Sequence, residues 1–197
     1  AIDLKTGANN IVTDNYLFAS EKSGDAAVKF AEDSNNTVKD NYPLNSDLTL
    51  IVDDVVIGEE SNIQIRLTDS KGTVSGTVKI TVNGAEYNVT VTDGKGSVAV
   101  GPFEEIGTVP IVAEFVDEFH SLTIVEDELT VYGPGNVTVK HTDAGDAHDI
   151  QAAIDAANPG DIVRLGDYDY TDVSDVNITK DVALVGSEGT TVTSAGD

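Results

Sequence analysis

The stretch AIDLKTGANNIVTDNY, residues 1–16, returns as AVKFAEDSNNTVKDNY at residues 27–42. The offset is 26 residues throughout, setting Leu4 over Phe30, Asn9-Asn10 over Asn35-Asn36, Val12 over Val38 and Asn15-Tyr16 over Asn41-Tyr42. A fixed period in the twenties is the mark of a solenoid, because one such unit cannot bury its apolar face alone and must stack on another. Each unit holds short apolar runs separated by Asn and Asp corners, where Asn tolerates a left-handed backbone. Successive coils of this kind lie ~4.8 Å apart. Asn10 is therefore expected on Asn36 and Asn15 on Asn41, a structural ladder of side-chain amides that satisfies polar groups costly to bury. Asp14 falls over Asp40 at an equivalent corner, where hydrogen bonding to the local backbone accounts for both. The repeat stops at Pro43.

From Leu44 to Tyr132 the rhythm changes to longer alternating strands. Ile63, Ile65 and Leu67 alternate with Gln64 and Arg66, and Val78, Ile80 and Val82 alternate with Lys79 and Thr81. Asn83-Gly84 then marks a hairpin before Tyr87, Val89 and Val91, and Asp93-Gly94 turns the chain again before Val98 and Val100. Further strands are expected around residues 48–52, 109–115 and 122–131. About seven strands in some ninety residues suit an immunoglobulin-like sandwich, here without the disulfide and buried Trp of antibody domains, since Cys and Trp are absent.

Gly133-Pro134-Gly135 reads as a joint to the last segment. Asp149 is the expected N-cap of a helix in which Ile150, Ala153, Ile154 and Ala157 share one face, and Asn158-Pro159-Gly160 stops it. Short strands are expected again at 161–165, 176–178, 182–185 and 190–192. They fit the opening coils of a second solenoid whose exposed end the helix caps.

Composition bounds the function. There are 35 acidic and 11 basic residues, a net charge of −24 spread along the chain, which argues against nucleic acid and anionic lipid as partners. No long apolar run suggests a membrane span, and without Met residue 1 does not read as a translation start. A piece of a longer extracellular protein is the expectation. Cysteine is absent, which removes disulfides and thiolate metal sites.

The first segment resembles the right-handed parallel β-helix repeats of pectate-lyase-like and surface proteins, and IQAAIDAANPGDIVRLGDYDY at 150–170 resembles the entry to such a helix. GTVKITVNGAEYNVTVTDGKGSVAV at 76–100 is similar to the immunoglobulin-like repeats of bacterial and archaeal adhesins. Their alternation resembles the adhesin-like cell-surface proteins of methanogenic archaea. The resemblance implies an all-β chain with parallel β-helix coils at 1–43, an immunoglobulin-like β-sandwich at 44–133, and a capping helix with opening coils of a second β-helix at 134–197. It also implies an extracellular structural or adhesive role without catalysis. The closing Ser194-Ala195-Gly196-Asp197 followed by Ala1-Ile2 would echo Ser23-Gly24-Asp25-Ala26-Ala27-Val28, which suggests neighbouring copies stacked through their coil ends. Glycans or proteins of a cell surface are the expected adhesion targets. The alternatives are a fragment of a β-helix polysaccharide lyase or hydrolase, or a carbohydrate-binding module, the latter weakened by the scarcity of aromatic rings.

No catalytic residues stand out. Asp167, Asp169, Asp172 and Asp175 form one acidic stretch read as a loop, and hard oxygen ligands make it the candidate calcium site, the one cofactor considered. Asn-x-Ser/Thr acceptor patterns occur at Asn35, Asn88, Asn136 and Asn177. His120, His141 and His148 lack metal-ligand spacing and read as surface or turn residues.

Overall fold

The computed structural model describes residues 2–4, 9–15, 28–30, 35–39 and 41–194. Tyr16, Asp40, the 23–27 stretch and residues 195–197 lie outside them, so the Asp14 and Asp40 pairing and the end-to-end sequence echo do as well.

Among the described residues four short strands open the chain: β1 (Ile2–Leu4), β2 (Ile11–Val12), β3 (Val28–Phe30) and β4 (Thr37–Val38). β1 pairs in parallel with β3, Ile2 opposite Val28, and β2 pairs in parallel with β4, Ile11 opposite Thr37. Polar corner residues tie the layers together. Asn10 donates through its backbone N–H and its Nδ2 to Asn36 Oδ1, at 2.8 and 2.9 Å. Asn15 does the same to Asn41 Oδ1, at 3.1 and 3.3 Å. Asn35 Nδ2 donates to Asn9 Oδ1 at 2.9 Å, with both residues in the left-handed region (φ 44° and 61°) that Asn accepts more readily than most side chains.

The middle of the chain is a sandwich of two sheets on one core. It comprises β5 (Ser46–Val52), β6 (Val55–Val56), β7 (Ser61–Asp69), β8 (Gly72–Thr73), β9 (Gly76–Val82), β10 (Ala85–Val91), β11 (Lys95–Val100), β12 (Gly107–Phe115) and β13 (Thr123–Tyr132). One sheet runs β10-β9-β12-β13-β6 and the other β11-β7-β5, with β8 hairpinned onto β7. Neighbours are antiparallel except β6, which lies parallel to β13. Strict alternation drives this arrangement: Ile63, Ile65 and Leu67 are buried on one face of β7, and Val78, Ile80 and Val82 on one face of β9. Each of these side chains contributes roughly 1.5–3 kcal/mol on leaving water. Asn83-Gly84 makes the β9–β10 hairpin with both residues at positive φ (47° and 81°), the twist that matches antiparallel strands. The turn at Asp93-Gly94 acts differently from a hairpin within one sheet. It carries the chain from β10 in the first sheet to β11 in the second.

The last segment has its own core. β14 (Asn136–Thr138), α1 (Asp146–Ala156), β15 (Ile162–Leu165), β16 (Asp169–Val173), β17 (Ala183–Gly186) and β18 (Thr191–Ser194) follow in order. β14, β15 and β17 form one parallel sheet and β16 and β18 a parallel pair. Val137 meets Val163, Val163 meets Leu184, and Tyr170 meets Val192, so the spacing between layers is unequal. Ile150, Ala153, Ile154 and Ala157 of the helical stretch pack on Val139, Val163, Leu165 and Tyr170.

Three expectations are corrected here. Asp149 is not the N-cap. The helix starts at Asp146 after Gly145, and the Asp149 N–H donates to Gly145 O at 3.1 Å as an ordinary intrahelical bond. The buried Asp149 carboxylate instead accepts from Thr142 N–H (2.7 Å) and Thr142 Oγ1 (2.6 Å), fastening the preceding loop. Second, residues 176–178 form no strand. Third, part of the acidic stretch read as a loop is strand β16, because Tyr170 is fully buried and anchors it to the core. The sheets are otherwise mostly antiparallel, with the parallel pairs confined to the two ends apart from β6 with β13. Among the described residues no helix is long and apolar enough to cross a membrane.

Candidate functional site

The turn Asp53-Asp54 follows directly on β5, where the sandwich meets the last segment. Asp53 is buried and His141 half-buried, with side chains 4% and 8% exposed. The Asp53 carboxylate accepts from the His141 backbone N–H at 3.0 Å and from its Nδ1 at 2.7 Å. Gln64 Nε2 donates to His141 O at 3.0 Å, and Lys140 Nζ donates to Asp54 O at 2.7 Å. Asp54 Oδ1 accepts from Thr130 N–H at 2.7 Å. The His141 ring packs on Tyr168 and Tyr170, with centroids 4.1 and 5.5 Å away. Nδ1 faces a carboxylate and so carries the proton in the neutral ring, which leaves Nε2 an acceptor. Nε2 is buried without a hydrogen-bond partner.

Beside this joint lies a cavity of about 250 Å³. Asp54, Asp127 and Glu128 border it from the sandwich, and Asp167, Glu188 and His141 from the last segment. The Asp167 carboxylate lies so close to Gly189 that a Cβ there would stand 2.3 Å from its Oδ1, and Gly189 also holds φ 96°. Desolvation raises Asp54 above the usual carboxylate range, against the opposing pull of the Thr130 N–H and the Lys140 charge. Desolvation likewise raises Asp127, and the charges of Asp167 and Glu128 push in the same direction. Burial lowers Lys140 despite the nearby Glu59, Asp53 and Asp54. The cleft is thus a concentration of acceptors and negative charge, with no Lys or Arg in its lining.

The structure does not gather the four aspartates proposed for calcium. Asp167 borders the cleft, Asp169 accepts from Thr191 Oγ1, and Asp172 and Asp175 are exposed in left-handed conformations (φ 52° and 55°). Chain direction explains this, since strand β16 sends alternate side chains to opposite faces. Among the described residues no three His, Asp or Glu side chains come close enough to hold one ion.

Of the histidines read as surface or turn residues, His141 is half-buried, with its side chain 8% exposed, and His120 ends the bend at 118–119 but is buried, its side chain 8% exposed, with Nδ1 2.8 Å from Asp117 Oδ1 and Nε2 3.1 Å from Asp69 Oδ2. His120 sits where the first segment joins the sandwich, since Leu44 N–H donates to Phe119 O and Ser121 N–H to Leu44 O. Nearby, Lys71 Nζ binds the Asp14 carboxylate and the Tyr42 hydroxyl and lies 4.6 Å from the Tyr42 ring centre. His148 is exposed. Among the glycosylation acceptors, Asn35, Asn88 and Asn177 are exposed. Asn136 is committed, its Nδ2 to Gly133 O and its Oδ1 to Arg164 Nε. Of the cleft's carboxylates only Asp167 is a candidate from sequence, and His141 is read there as a surface or turn residue. The signal for the rest is weak: an Asp-Asp pair following β5, an edge strand of its sheet.

No family model matches the chain, and no curated protein matches it. Among solved structures, the CARDB domain of a Pyrococcus furiosus protein in complex with di-metal ions is 20% identical, covering 45% of this chain and 94% of that one, with a TM-score of 0.33. The family 28 exopolygalacturonase of Yersinia enterocolitica is 16% identical over 72% of this chain and 31% of its own, TM-score 0.30. A Listeria innocua β-glucosidase in complex with glucose is 12% identical over 62% of this chain and 22% of its own, TM-score 0.30. The chain therefore spans less than a third of either hydrolase.

Proposed function

We propose that this chain is a structural and adhesive module of an extracellular cell-surface protein, with parallel β-helix coils on both sides of an immunoglobulin-like sandwich, and that it performs no chemistry. The observation that carries the reading is the pairing of like strands, in parallel and layer upon layer, at both ends of a spacer sandwich. β17 and β18 each keep one unpaired edge among the described residues, and Leu184 and Val192 on them are 40% and 51% exposed. β1 and β2 likewise pair on one side only. Another parallel coil laid on such an edge at ~4.8 Å supplies main-chain hydrogen bonds and hides the exposed apolar side chains. The coils of a neighbouring copy are the proposed occupant, giving a head-to-tail stalk or filament whose targets are glycans or proteins of a cell surface.

Sedimentation velocity over a wide concentration range tests the stacking: growing species are expected, and a monomer at every concentration overturns it. A reducing-sugar assay on acidic and neutral polysaccharides tests the absence of chemistry. Release of sugar would replace this reading with the carbohydrate-active one.

A further inference from the structure

We propose that the groove on the outer face of β7 and β11 is a binding site for an acidic saccharide, a sugar ring that carries a carboxylate. This site rests on the adhesive part of the function proposed above, and coil stacking plays no part in it. Arg66 and Lys95 stand directly opposite each other in the antiparallel register of β7 and β11, so their Cβ atoms leave one face about 5 Å apart. Ile63, Ile65 and Leu67 fill the core, which makes the row of Arg66 the outward one. Like charges so placed destabilise a strand pair, and an anion laid across them reverses the sign. Among the described residues neither side chain forms an ion pair or a hydrogen bond. The other cations are engaged: Lys71, Lys79 and Lys140 with carboxylates, Arg164 with Asn136 Oδ1, Lys180 with carbonyls at the end of α1, and Lys39 acts on Asp14. With 35 acidic residues against 11 basic ones, counter-ions are abundant, yet this pair is left without any.

The pair faces a groove of about 440 Å³, within the range of small-ligand sites. Asn62 and Gln64 of β7 and Ser97 of β11 extend its floor, and residues 141–143 form its wall. That wall is held from both sides. Gln64 Nε2 donates to His141 O, while the Thr142 N–H and Oγ1 donate to the buried Asp149 carboxylate. A ligand therefore meets a surface already ordered, which lowers the cost of binding. The lining selects its chemistry. A guanidinium takes a carboxylate through two parallel N–H···O bonds, and the ammonium adds a point charge beside it. Asn62 and Ser97 supply uncharged donors and acceptors, and Asp143 adds a carboxylate acceptor. Sugar hydroxyls satisfy such groups, whereas Asp143 repels a second negative charge on the ligand. Without Trp and with few rings the chain has little to lay against a sugar face, so charge and hydrogen bonds must supply the affinity. At physiological salt charges beyond about 8 Å are screened, and the contact pair outweighs the distant acidic surface.

The test is an NMR titration of the isotope-labelled chain at constant ionic strength, following the backbone amides of Gly96, Ser97 and Thr142. The probes are sodium D-glucuronate, the methyl glycoside of N-acetylneuraminic acid, D-glucose, N-acetyl-L-glutamate methylamide and sodium sulfate. Saturable shifts are expected with at least one of the acidic sugars and none with glucose, and the glutamate derivative and sulfate should bind several-fold more weakly. Arg66→Gln should weaken sugar binding about tenfold or more, while Lys79→Gln, in the other sheet, should bind as the native chain does. Thermal melts confirm that both variants fold, and Lys95→Gln replaces Arg66→Gln if that one does not. The proposal is overturned if neither acidic sugar gives a saturable shift at tens of millimolar, or if the folded groove variant binds unchanged. It is overturned as well if the glutamate derivative or sulfate binds as tightly as the sugars, which would make the groove a site for acidic peptide or for an inorganic anion. None of these results bears on the stalk, which sedimentation tests separately.

Discussion

Asn36 illustrates how a single side chain holds two layers in register. Its Oδ1 accepts both N–H groups that Asn10 directs at it, at 2.8 and 2.9 Å, and Asn10 O accepts the Thr37 N–H at 2.8 Å. Asn36→Ala leaves the Asn10 amide groups facing a methyl, an expected loss of about 1–3 kcal/mol for donors left unsatisfied. Asn36→Asp keeps an acceptor in place and should lose less. The check is amide hydrogen exchange at Ile11, Val12 and Thr37, which should quicken in the alanine variant. Equal exchange in native and variant would mean that strand pairing alone sets the register. Glycosylation is also decided at this scale: a sugar on Asn136 would remove an Nδ2 proton now given to Gly133 O, whereas Asn88 and Asn177 present exposed side chains.

At the scale of the element, packing against a neighbouring strand decides what a position tolerates. Gly76 opens β9 opposite the ring of Phe115 in β12, where a Cβ would stand 2.8 Å from Cε2, and Phe115 is 1% exposed. Gly76→Ala should therefore destabilise the sandwich by about 1–3 kcal/mol through overpacking, and Gly76→Ala with Phe115→Leu should recover part of that loss. Chemical denaturation of the single and double variants measures both, and an alanine variant as stable as the native chain would refute the steric account. Elements whose signals are local were readable in advance. The alternation of β7 and β9, the Asn83-Gly84 turn and the apolar face of α1 each follow from residues within a few positions. The misread elements obey partners outside their own local pattern. Strand β16 exists because Tyr170 enters a core shared with α1, and Asp149 serves Thr142 in place of capping its own helix. The cleft was the least legible feature, since Asp54 meets Lys140 across 86 positions and nothing near either residue announces the other.

For the whole molecule, the decisive fact is that, among the described residues, the sandwich core and the last segment's core share no buried residue, while their contact is polar and charged. Two such cores joined by hydrogen bonds should unfold in two calorimetric transitions, weakly coupled through Asp53 and His141. Protons should act oppositely at the two joints. Asp54 and Asp127 are raised in the folded chain, so their ionised forms oppose folding at neutral pH; that opposition eases as pH falls through their folded values towards about 3.9, the unfolded value. Asp69 behaves in reverse. Desolvation pushes it up, but hydrogen bonds from His120 and from the Lys71 and Gly72 N–H groups outweigh this and lower it. Its contribution is complete above about 3.9 and is lost only as pH falls through its lower folded value. Mild acid should thus strengthen the cleft side before stronger acid weakens the His120 side. General relief of a −24 net charge also favours folding in acid, so the specific effect lies in a comparison. Asp127→Asn should flatten the rise of the cleft-side transition as pH falls from neutral towards about 3.9 relative to the native chain, and parallel melting profiles for the two proteins would show that Asp127 does not set the acid response.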